Sequence, residues 1–207
     1  MNPVKKRLTI FVEGETDELF FRLLVSILFQ TAHKKPWDKE RLIFVSLDGI
    51  CNAEAIIRDS ILEIPNKDRF SDSVCLIHDT DAFEYQKKPP VHFERVERVA
   101  KENHCGFFPV PITHNIEDMI AFSLQEIRKY LGVPESFVLP KGCDGLTVLK
   151  KLHKEVGRFY VKGHKSEGLL RCLDYPSISK KYCSALKPLC DYLELGCEGN
   201  LCKIKKK

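Results

Sequence analysis

The stretch that most constrains the fold is a short apolar run near the start of the chain, together with the acidic turn that follows it. Residues Leu8–Val12 are apolar or β-favouring, with no polar alternation. A strand of this kind is buried on both faces, as is usual in a parallel sheet. Glu13 and Gly14 follow where the strand would end, and glycine lets the chain turn tightly. Thr16 is placed to cap a helix, and Asp17 falls in its first turn.

A second acidic turn follows a second short strand of the same buried type. Val74–Ile77 is the strand, and Asp79 and Asp81 come after it. Open α/β sheets bind ligands at the carboxyl edge, and carboxylates crowded there repel one another unless a cation lies between them. We therefore expect the acids of both turns to converge at one sheet edge and to bind a hard cation such as Mg²⁺. The alternative is that Glu13 is an exposed loop acid and Asp17 only complements the helix dipole.

The order of the predicted elements indicates the fold class. Two more strands are predicted at residues 41–47 and 107–110, and helical patterns separate the strands. This alternation is typical of a mostly parallel sheet with helices on both faces. From about residue 123 only helices and loops are predicted, among them one long helix from Ile178 to Leu193. We expect an α/β unit over residues 1–122 and a helical extension over 123–207 that packs on it.

A third acidic segment lies just before residue 123, where the predicted strands end and only helices and loops follow. Asn115 can cap a helix that starts at Ile116, which puts Glu117 and Asp118 in the first helical turn. Acids are common in that position because they complement the helix dipole. The residues alone therefore leave Glu117 between a helix-dipole role and a role in the acidic site.

Together these three segments resemble a Toprim domain. That is the catalytic fold shared by topoisomerases, primases, the nucleases of the OLD (overcoming lysogenization defect) family and ribonuclease M5. The third segment is similar to an additional acidic motif of OLD-like nucleases. The resemblance covers roughly residues 7–122 and implies a Rossmann-like fold with Mg²⁺- or Mn²⁺-dependent phosphodiester chemistry. The metal ligands that it implies are Glu13, Asp17, Asp79, Asp81 and Glu117.

The resemblance also implies a lysine after the acidic motifs that stabilises phosphate charge. Lys162 and Lys165 are both candidates. Lys162 directly follows an apolar run, whereas Lys165 precedes Ser166, which is placed to cap a helix. The N-terminus of a helix attracts phosphate. The alternative is that both lysines belong to a solvated basic loop.

The function that the resemblance implies is a nuclease that cleaves DNA or RNA by a two-metal mechanism. Glu13, Asp79 and Asp81 would carry the chemistry with one of the two lysines. OLD-like nucleases carry an ATPase in the same chain, but this sequence has no Gly-x-x-x-x-Gly-Lys-Ser/Thr loop. An ATPase partner would therefore be a separate protein, as the similarity to stand-alone Toprim proteins of bacterial and phage-defence systems suggests. Two alternatives stay open: a non-catalytic Mg²⁺-binding subunit of such an ATPase, and an RNA-cleaving toxin or ribonuclease M5-like enzyme.

Composition bears on location and partners. No apolar run approaches the roughly 20 residues needed to cross a membrane. Nine scattered cysteines are an odd number, which favours a reducing cytoplasm over a secreted disulfide framework. Basic residues cluster at both ends, at Lys5–Arg7 and Lys203–Lys207, and these ends suit contact with a phosphate backbone or are simply solvated tails. The sequence leaves the oligomeric state open, with a homo-oligomer among the options.

Overall fold

A four-stranded parallel sheet, with helices on both faces, forms the centre of the molecule. The computed structural model describes residues 5–64, 70–84, 88–164 and 166–195. The spatial order of the strands, numbered along the chain, is β2-β1-β3-β4, and every neighbouring pair is parallel. The predicted α/β class with a helical C-terminal part is therefore confirmed. The strands are β1 (Lys5–Val12), β2 (Leu42–Ser46), β3 (Phe70–Asp79) and β4 (Gly106–Ile112).

The helices surround this sheet, and several of them are short. A 3-10 helix, Ile50–Asn52, precedes the second α-helix. None of the described helices combines the length and the apolar character needed to span a lipid bilayer. The α-helices in the described residues are α1 (Glu15–Thr31), α2 (Ala53–Leu62), α3 (Asp81–Glu84), α4 (Phe93–Glu102), α5 (Ile116–Ala121), α6 (Leu124–Leu131), α7 (Gly145–Glu155), α8 (Glu167–Arg171), α9 (Tyr175–Lys181) and α10 (Cys183–Tyr192).

Side chains of the central strand β1 point alternately into two apolar layers, as the pleat of a strand requires. On one face, Leu8 and Ile10 pack in a cluster with α1 and with helices from the C-terminal half. On the other face, Phe11 packs in a cluster with α2 and α4. All three side chains are fully buried. Burial on both faces explains why this stretch of sequence is continuously apolar.

The helical extension continues the first of these layers instead of forming a separate core. The ring of Tyr175 in α9 lies 5.4 Å from that of Phe20 in α1. The ring of Tyr192 in α10 lies 5.4 Å from that of Phe108 in β4. Apolar side chains from both parts of the chain belong to one buried cluster. The extension therefore covers one face of the sheet and its first helix.

The start of α1 differs from the prediction. The helix begins at Glu15, and the residue at its N-cap position is Gly14, whose backbone is extended. Thr16 lies inside the first turn and is buried, and its hydroxyl has no hydrogen-bond partner among the described residues. The prediction that Thr16 caps the helix was therefore wrong, because the glycine before the helix makes the turn that the cap would have made.

The predicted helix over residues 178–193 is in fact two helices. The first, α9, starts earlier because the Asp174 carboxylate accepts a hydrogen bond from the Ser177 amide at 3.1 Å. Between α9 and α10 the backbone of Tyr182 leaves the helical region, with φ −101° and ψ 19°. The ring of Tyr182 packs edge-on against Phe122 at a centroid distance of 6.3 Å. A contact distant in sequence thus accompanies the break, and helical periodicity does not reveal it.

Both strands at the β3–β4 side are longer than predicted. The prediction for β3 covered Val74–Ile77, whereas the strand continues to Asp79 and pairs with β1 on one side and β4 on the other. Asp79 is therefore the last residue of the strand and not part of the following turn. In β4 the strand contains Pro109 and Pro111. Proline is tolerated there because β4 is an edge strand of the described sheet.

Candidate functional site

The candidate site lies where the direction of the strand connections reverses. From β1 the chain moves to β2 on one side and then crosses over to β3 and β4 on the other. In open α/β sheets, the crevice at the carboxyl ends of the two strands flanking such a reversal is the usual ligand site. Glu13 directly follows β1, and Asp79 ends the neighbouring β3. The two acidic turns predicted from the sequence therefore meet at one sheet edge.

Glu13 joins three strand ends through its side chain and its backbone. Its carboxylate Oε1 accepts a hydrogen bond from the Asp79 amide at 2.9 Å. Its carbonyl oxygen accepts a hydrogen bond from the Gly49 amide at 2.8 Å, which ties the turn after β2 to the same place. Asp48 lies in that turn with a positive φ of 51°. Asp48 also follows a strand end, since β2 ends at Ser46, but it is not among the metal ligands that the resemblance implies.

Asp79 connects the sheet to the third acidic segment. Its Oδ1 accepts a hydrogen bond from the Ile116 amide at 3.0 Å, in the first turn of α5. The next residue, Glu117, is 1% exposed, and its Oε2 has no hydrogen-bond partner among the described residues. Asn115 caps α5 as predicted, accepting a hydrogen bond from the Asp118 amide at 3.2 Å. The cap and the Asp79 contact together place Glu117 beside the strand ends.

Lys162 reaches into the acidic group from the helical extension. Its Nζ lies 3.9 Å from Glu117 Oε2 and 4.0 Å from Asp79 Oδ2. About half of the lysine side chain remains exposed, at 51%, while the two carboxylates are nearly buried. The other candidate, Lys165, lies outside the described residues. The structure thus brings Lys162 together with the predicted acids.

These side chains surround an open cleft of about 420 Å³. Asp17, in the first turn of α1, faces the same cleft, so four of the five predicted metal ligands share it. Gly163 also lines the cleft and continues the loop that carries the lysine. The charged residues that line the cleft are Glu13, Glu15, Asp17, Asp48, Asp79, Glu117 and Lys162.

Asp81 lies in an adjoining cleft of about 580 Å³, on the other side of Lys162. Its amide donates a hydrogen bond to the His114 carbonyl at 3.2 Å. Its carboxylate Oδ2 accepts a hydrogen bond from Asn115 Nδ2 at 3.4 Å. Lys162 lines both clefts. Asp81 is therefore next to the other four acids without lining the same cleft.

The buried acids resist ionisation. Burial raises the pKa of Asp79 to about 9, and the charges of Glu13 and Asp17 add to the effect. Burial, with the charge of Glu13, raises the pKa of Asp17 to about 7. Burial also raises the pKa values of Glu13 and Glu117, although the Lys162 ammonium opposes both increases. At neutral pH Asp79 therefore retains its proton and Asp17 is about half ionised, so a cation that binds among these acids would displace a proton.

Lys162 is held in its charged form by the same neighbours. Partial burial lowers its pKa, but the carboxylates of Glu117 and Asp79 raise the pKa by more, so it stands above its ordinary value. The lysine therefore carries a full positive charge whenever the acids are ionised. Among the described residues, Lys162 is the cation that lies between these acids.

The donor chemistry of the cleft fits a hard divalent cation, but the side chains are not closed around one point. The described residues contain no group of three or more His, Cys, Asp or Glu side chains spaced to hold a metal ion. What supports the fit is the surplus of carboxylates and the orphaned Oε2 of Glu117. Lys162 lies where a cation would be expected, so metal binding would require the lysine to move aside or to share the acids.

Two residues that sequence reasoning missed support the position of Glu117. A Cβ atom on Gly145, at the start of α7, would lie 2.2 Å from the Glu117 carbonyl oxygen, so only glycine allows this approach. Tyr160 is buried, and burial and the nearby Glu117 carboxylate raise the pKa of its hydroxyl. In the sequence Gly145 only precedes a helical pattern, and no local signal marks a close approach between distant segments.

Comparison with known proteins returns no relative. No protein-family model, no curated protein and no solved structure matches this chain. The geometry of the acidic cleft is therefore the basis for assigning a function.

Proposed function

We propose that this protein is a metal-dependent nuclease that cleaves phosphodiester bonds in DNA or RNA. The observation that carries the proposal is the position of Lys162 Nζ, 3.9 Å from Glu117 and 4.0 Å from Asp79, at the switch point of a parallel sheet. A surplus of carboxylates beside one lysine suits a phosphate held between cations. The resemblance of the three acidic segments to a Toprim domain agrees with this proposal.

Glu13, Asp17, Asp79 and Glu117 would hold Mg²⁺ or Mn²⁺, with Asp81 at the edge of the site. When bound, such cations would supply Lewis acidity that activates water and stabilises the leaving oxygen. The chain itself supplies rigidity, because the Glu13 and Asp79 side chains are each fixed by a backbone amide. Burial keeps solvent from screening these acids, which strengthens their interaction with any cation.

Lys162 would neutralise charge that develops on the phosphate. A half-exposed ammonium at the mouth of the cleft can leave its two carboxylates and turn toward an incoming anion. A group that acts only on transition-state charge typically contributes on the order of 10²–10³ in rate. The resemblance assigns this role to either Lys162 or Lys165, and the contacts of Lys162 favour the former.

A second candidate function is a non-catalytic acidic subunit of a separate ATPase. The same lysine contacts support it, because an ammonium ion between Asp79 and Glu117 neutralises part of the acidic charge without a metal. In that case the cleft would bind a cation or a partner and cleave nothing. Cleavage by the isolated protein distinguishes the two functions.

The test is incubation of the purified chain with plasmid DNA, single-stranded DNA and tRNA, each with Mg²⁺, Mn²⁺ or EDTA. We expect cleavage of at least one substrate that requires the metal. Glu13→Ala and Asp79→Ala should lose metal binding and cleavage together. Glu102→Ala, an exposed acid on α4, is the matched control and should cleave normally. Cleavage that survives EDTA, or that survives both acid variants, would refute the proposal.

The lysine is tested separately from the acids. Lys162→Ala should cleave about 10²–10³-fold more slowly and still bind the metal, as measured by calorimetry. Lys101→Ala, an exposed lysine on α4, is the control. Lys165→Ala is compared in the same assay. Normal cleavage by both the Lys162 and Lys165 variants would show that this loop is only a solvated surface.

A further inference from the structure

The loop that carries Lys162 also exposes an apolar surface that the fold does not use. Phe159 is 92% exposed and Val161 is 59% exposed, whereas Tyr160 between them is only 9% exposed. Leaving a phenylalanine side chain in water forgoes roughly 1.5–3 kcal/mol of burial free energy. The alternation means that Tyr160 anchors the loop while its two neighbours point outward.

Tyr160 and the loop backbone hold Phe159 in this outward position. The Tyr160 ring packs against His153 of α7 at a centroid distance of 5.3 Å. The Arg158 amide donates a hydrogen bond to the His153 carbonyl at 2.8 Å. Gly157, just before the loop, has a positive φ of 67°, a conformation that glycine adopts easily. Phe159 is therefore presented on a fixed turn.

Exposed basic residues outnumber acidic ones in the segment that leads to Phe159. Lys150 and Lys154 are exposed on α7 and Arg158 at the base of the loop, against the one exposed acid Glu155. Arg158 lines the same small cleft as Phe159. Three residues of extended chain span at most about 11 Å, so Phe159 lies within that distance of Lys162 along the backbone. An aromatic ring among cations, next to a lysine that faces an acidic cleft, matches the way proteins hold unpaired nucleic acid. Such proteins combine backbone cations with aromatic rings on which bases stack.

We propose that Phe159 stacks on an unpaired base next to the phosphate bound at Lys162, so that the substrate is single-stranded at the site of cleavage. The proposal rests on the proposed nuclease function and narrows its substrate class. Lys154 and Arg158 contact the adjoining phosphates, and Val161 widens the apolar surface for the stacked base. A paired base in a duplex has no free face for this contact. The charge of this surface favours nucleic acid over an apolar protein partner as its occupant.

The test measures binding to labelled single-stranded and duplex oligonucleotides by fluorescence anisotropy, in EDTA so that no cleavage occurs. Phe159→Leu keeps an apolar side chain but removes the aromatic face, and should weaken single-strand binding by about 5- to 100-fold. Phe159→Trp should retain binding within about twofold, because tryptophan also stacks bases. Val138→Ala alters another exposed apolar residue, 83% exposed, and serves as the control with wild-type binding.

Fluorescence gives a second readout. Trp37 is the single native tryptophan, so the wild-type emission reports it alone. The added emission of Phe159→Trp should be quenched by single-stranded oligonucleotide and little changed by blunt duplex. Wild-type affinity in Phe159→Leu, equal weakening toward duplex and single strand, or an effect only on binding of a protein partner would overturn the proposal.

The outcomes separate this inference from the proposed function. Phe159-dependent binding without cleavage under any metal condition would retain the stacking contact and refute the nuclease. Metal-dependent cleavage together with single-strand binding that is indifferent to Phe159 would retain the nuclease and refute the stacking contact.

Discussion

Replacing Asp79 by asparagine should stabilise the metal-free protein near neutral pH. Burial and the charges of Glu13 and Asp17 raise the pKa of Asp79 from an ordinary 3.8 to about 9. Between these values the unfolded chain has lost a proton that the folded protein retains. Folding is therefore most favoured below pH 3.8, and this contribution is lost progressively as the pH rises toward 9. Asparagine cannot ionise and removes this dependence.

The magnitude follows from the pKa difference. A pH of 7 is about three units above the pKa of Asp79 in the unfolded chain and still below its pKa in the folded protein. Each of these units costs about 1.36 kcal/mol of unfolding free energy, which gives an upper limit of about 4 kcal/mol. Asp17, with a pKa near 7, accounts for part of the same repulsion. We therefore expect a gain of about 2–3 kcal/mol, or roughly 4–12 °C in melting temperature for a chain of this size. The asparagine oxygen can still accept the hydrogen bond from the Ile116 amide.

The assay is thermal unfolding in EDTA between pH 5 and pH 9, followed by circular dichroism. The melting temperature of Asp79→Asn should exceed that of the wild type by a margin that widens as the pH rises. Glu15→Gln removes an exposed charge from the rim of the same cleft, and its curve should stay close to that of the wild type. Millimolar Mg²⁺ should stabilise the wild type more than Asp79→Asn. A difference that stays constant or narrows with rising pH would refute the argument.

Two further substitutions test the fold, one near the amino ends of β1 and β3 and one beside the candidate site. Arg7→Ala should lower the free energy of unfolding, measured by urea denaturation, by about 3–5 kcal/mol. In the wild type Arg7 Nε lies 2.5 Å from Asp72 Oδ1, and the substitution leaves this buried carboxylate without its counter-charge. A loss below about 1 kcal/mol would contradict this reasoning. Gly145→Ala should destabilise the protein by about 1–3 kcal/mol and slow cleavage, because its Cβ would lie 2.2 Å from the Glu117 carbonyl oxygen. Gly14→Ala meets Asp17 Oδ2 only at 3.5 Å and should fold normally, so equal effects of the two alanines would contradict the steric argument.

The sheet and its acidic edge could be predicted because both depend on local rules. A continuous apolar run predicts a doubly buried strand, and Leu8 and Phe11 do pack into opposite layers. Parallel strands end at the same edge, so residues directly after two such strands must be neighbours if the strands are. Glu13 and Asp79 follow this rule. Asp48 follows it as well, and applying the rule to the strand before it would have added that acid to the candidate site.

The features that could not be predicted depend on contacts between distant segments. The local sequence leaves both Lys162 and Lys165 as candidates, because the contacts of Lys162 come from the packing of the extension against α5 and the sheet edge. The break at Tyr182 accompanies packing against Phe122, and residues 177–187 contain no proline or glycine to mark it. The close approach of Gly145 to the Glu117 backbone depends in the same way on how α7 packs against α5.

These contacts also cross the predicted boundary at residue 122, so the α/β unit and the helical extension are not independent. The acids come from the sheet and from α5, but the lysine among them comes from the loop after α7, and Tyr160 of that loop lies beside Glu117. The extension also buries the outer face of α1, where Tyr175 packs against Phe20. The first 122 residues alone would therefore lack a cation among their buried acids and would expose an apolar surface to water. The same packing that closes the core brings Lys162 to the acids, so the fold and the candidate site depend on the extension together.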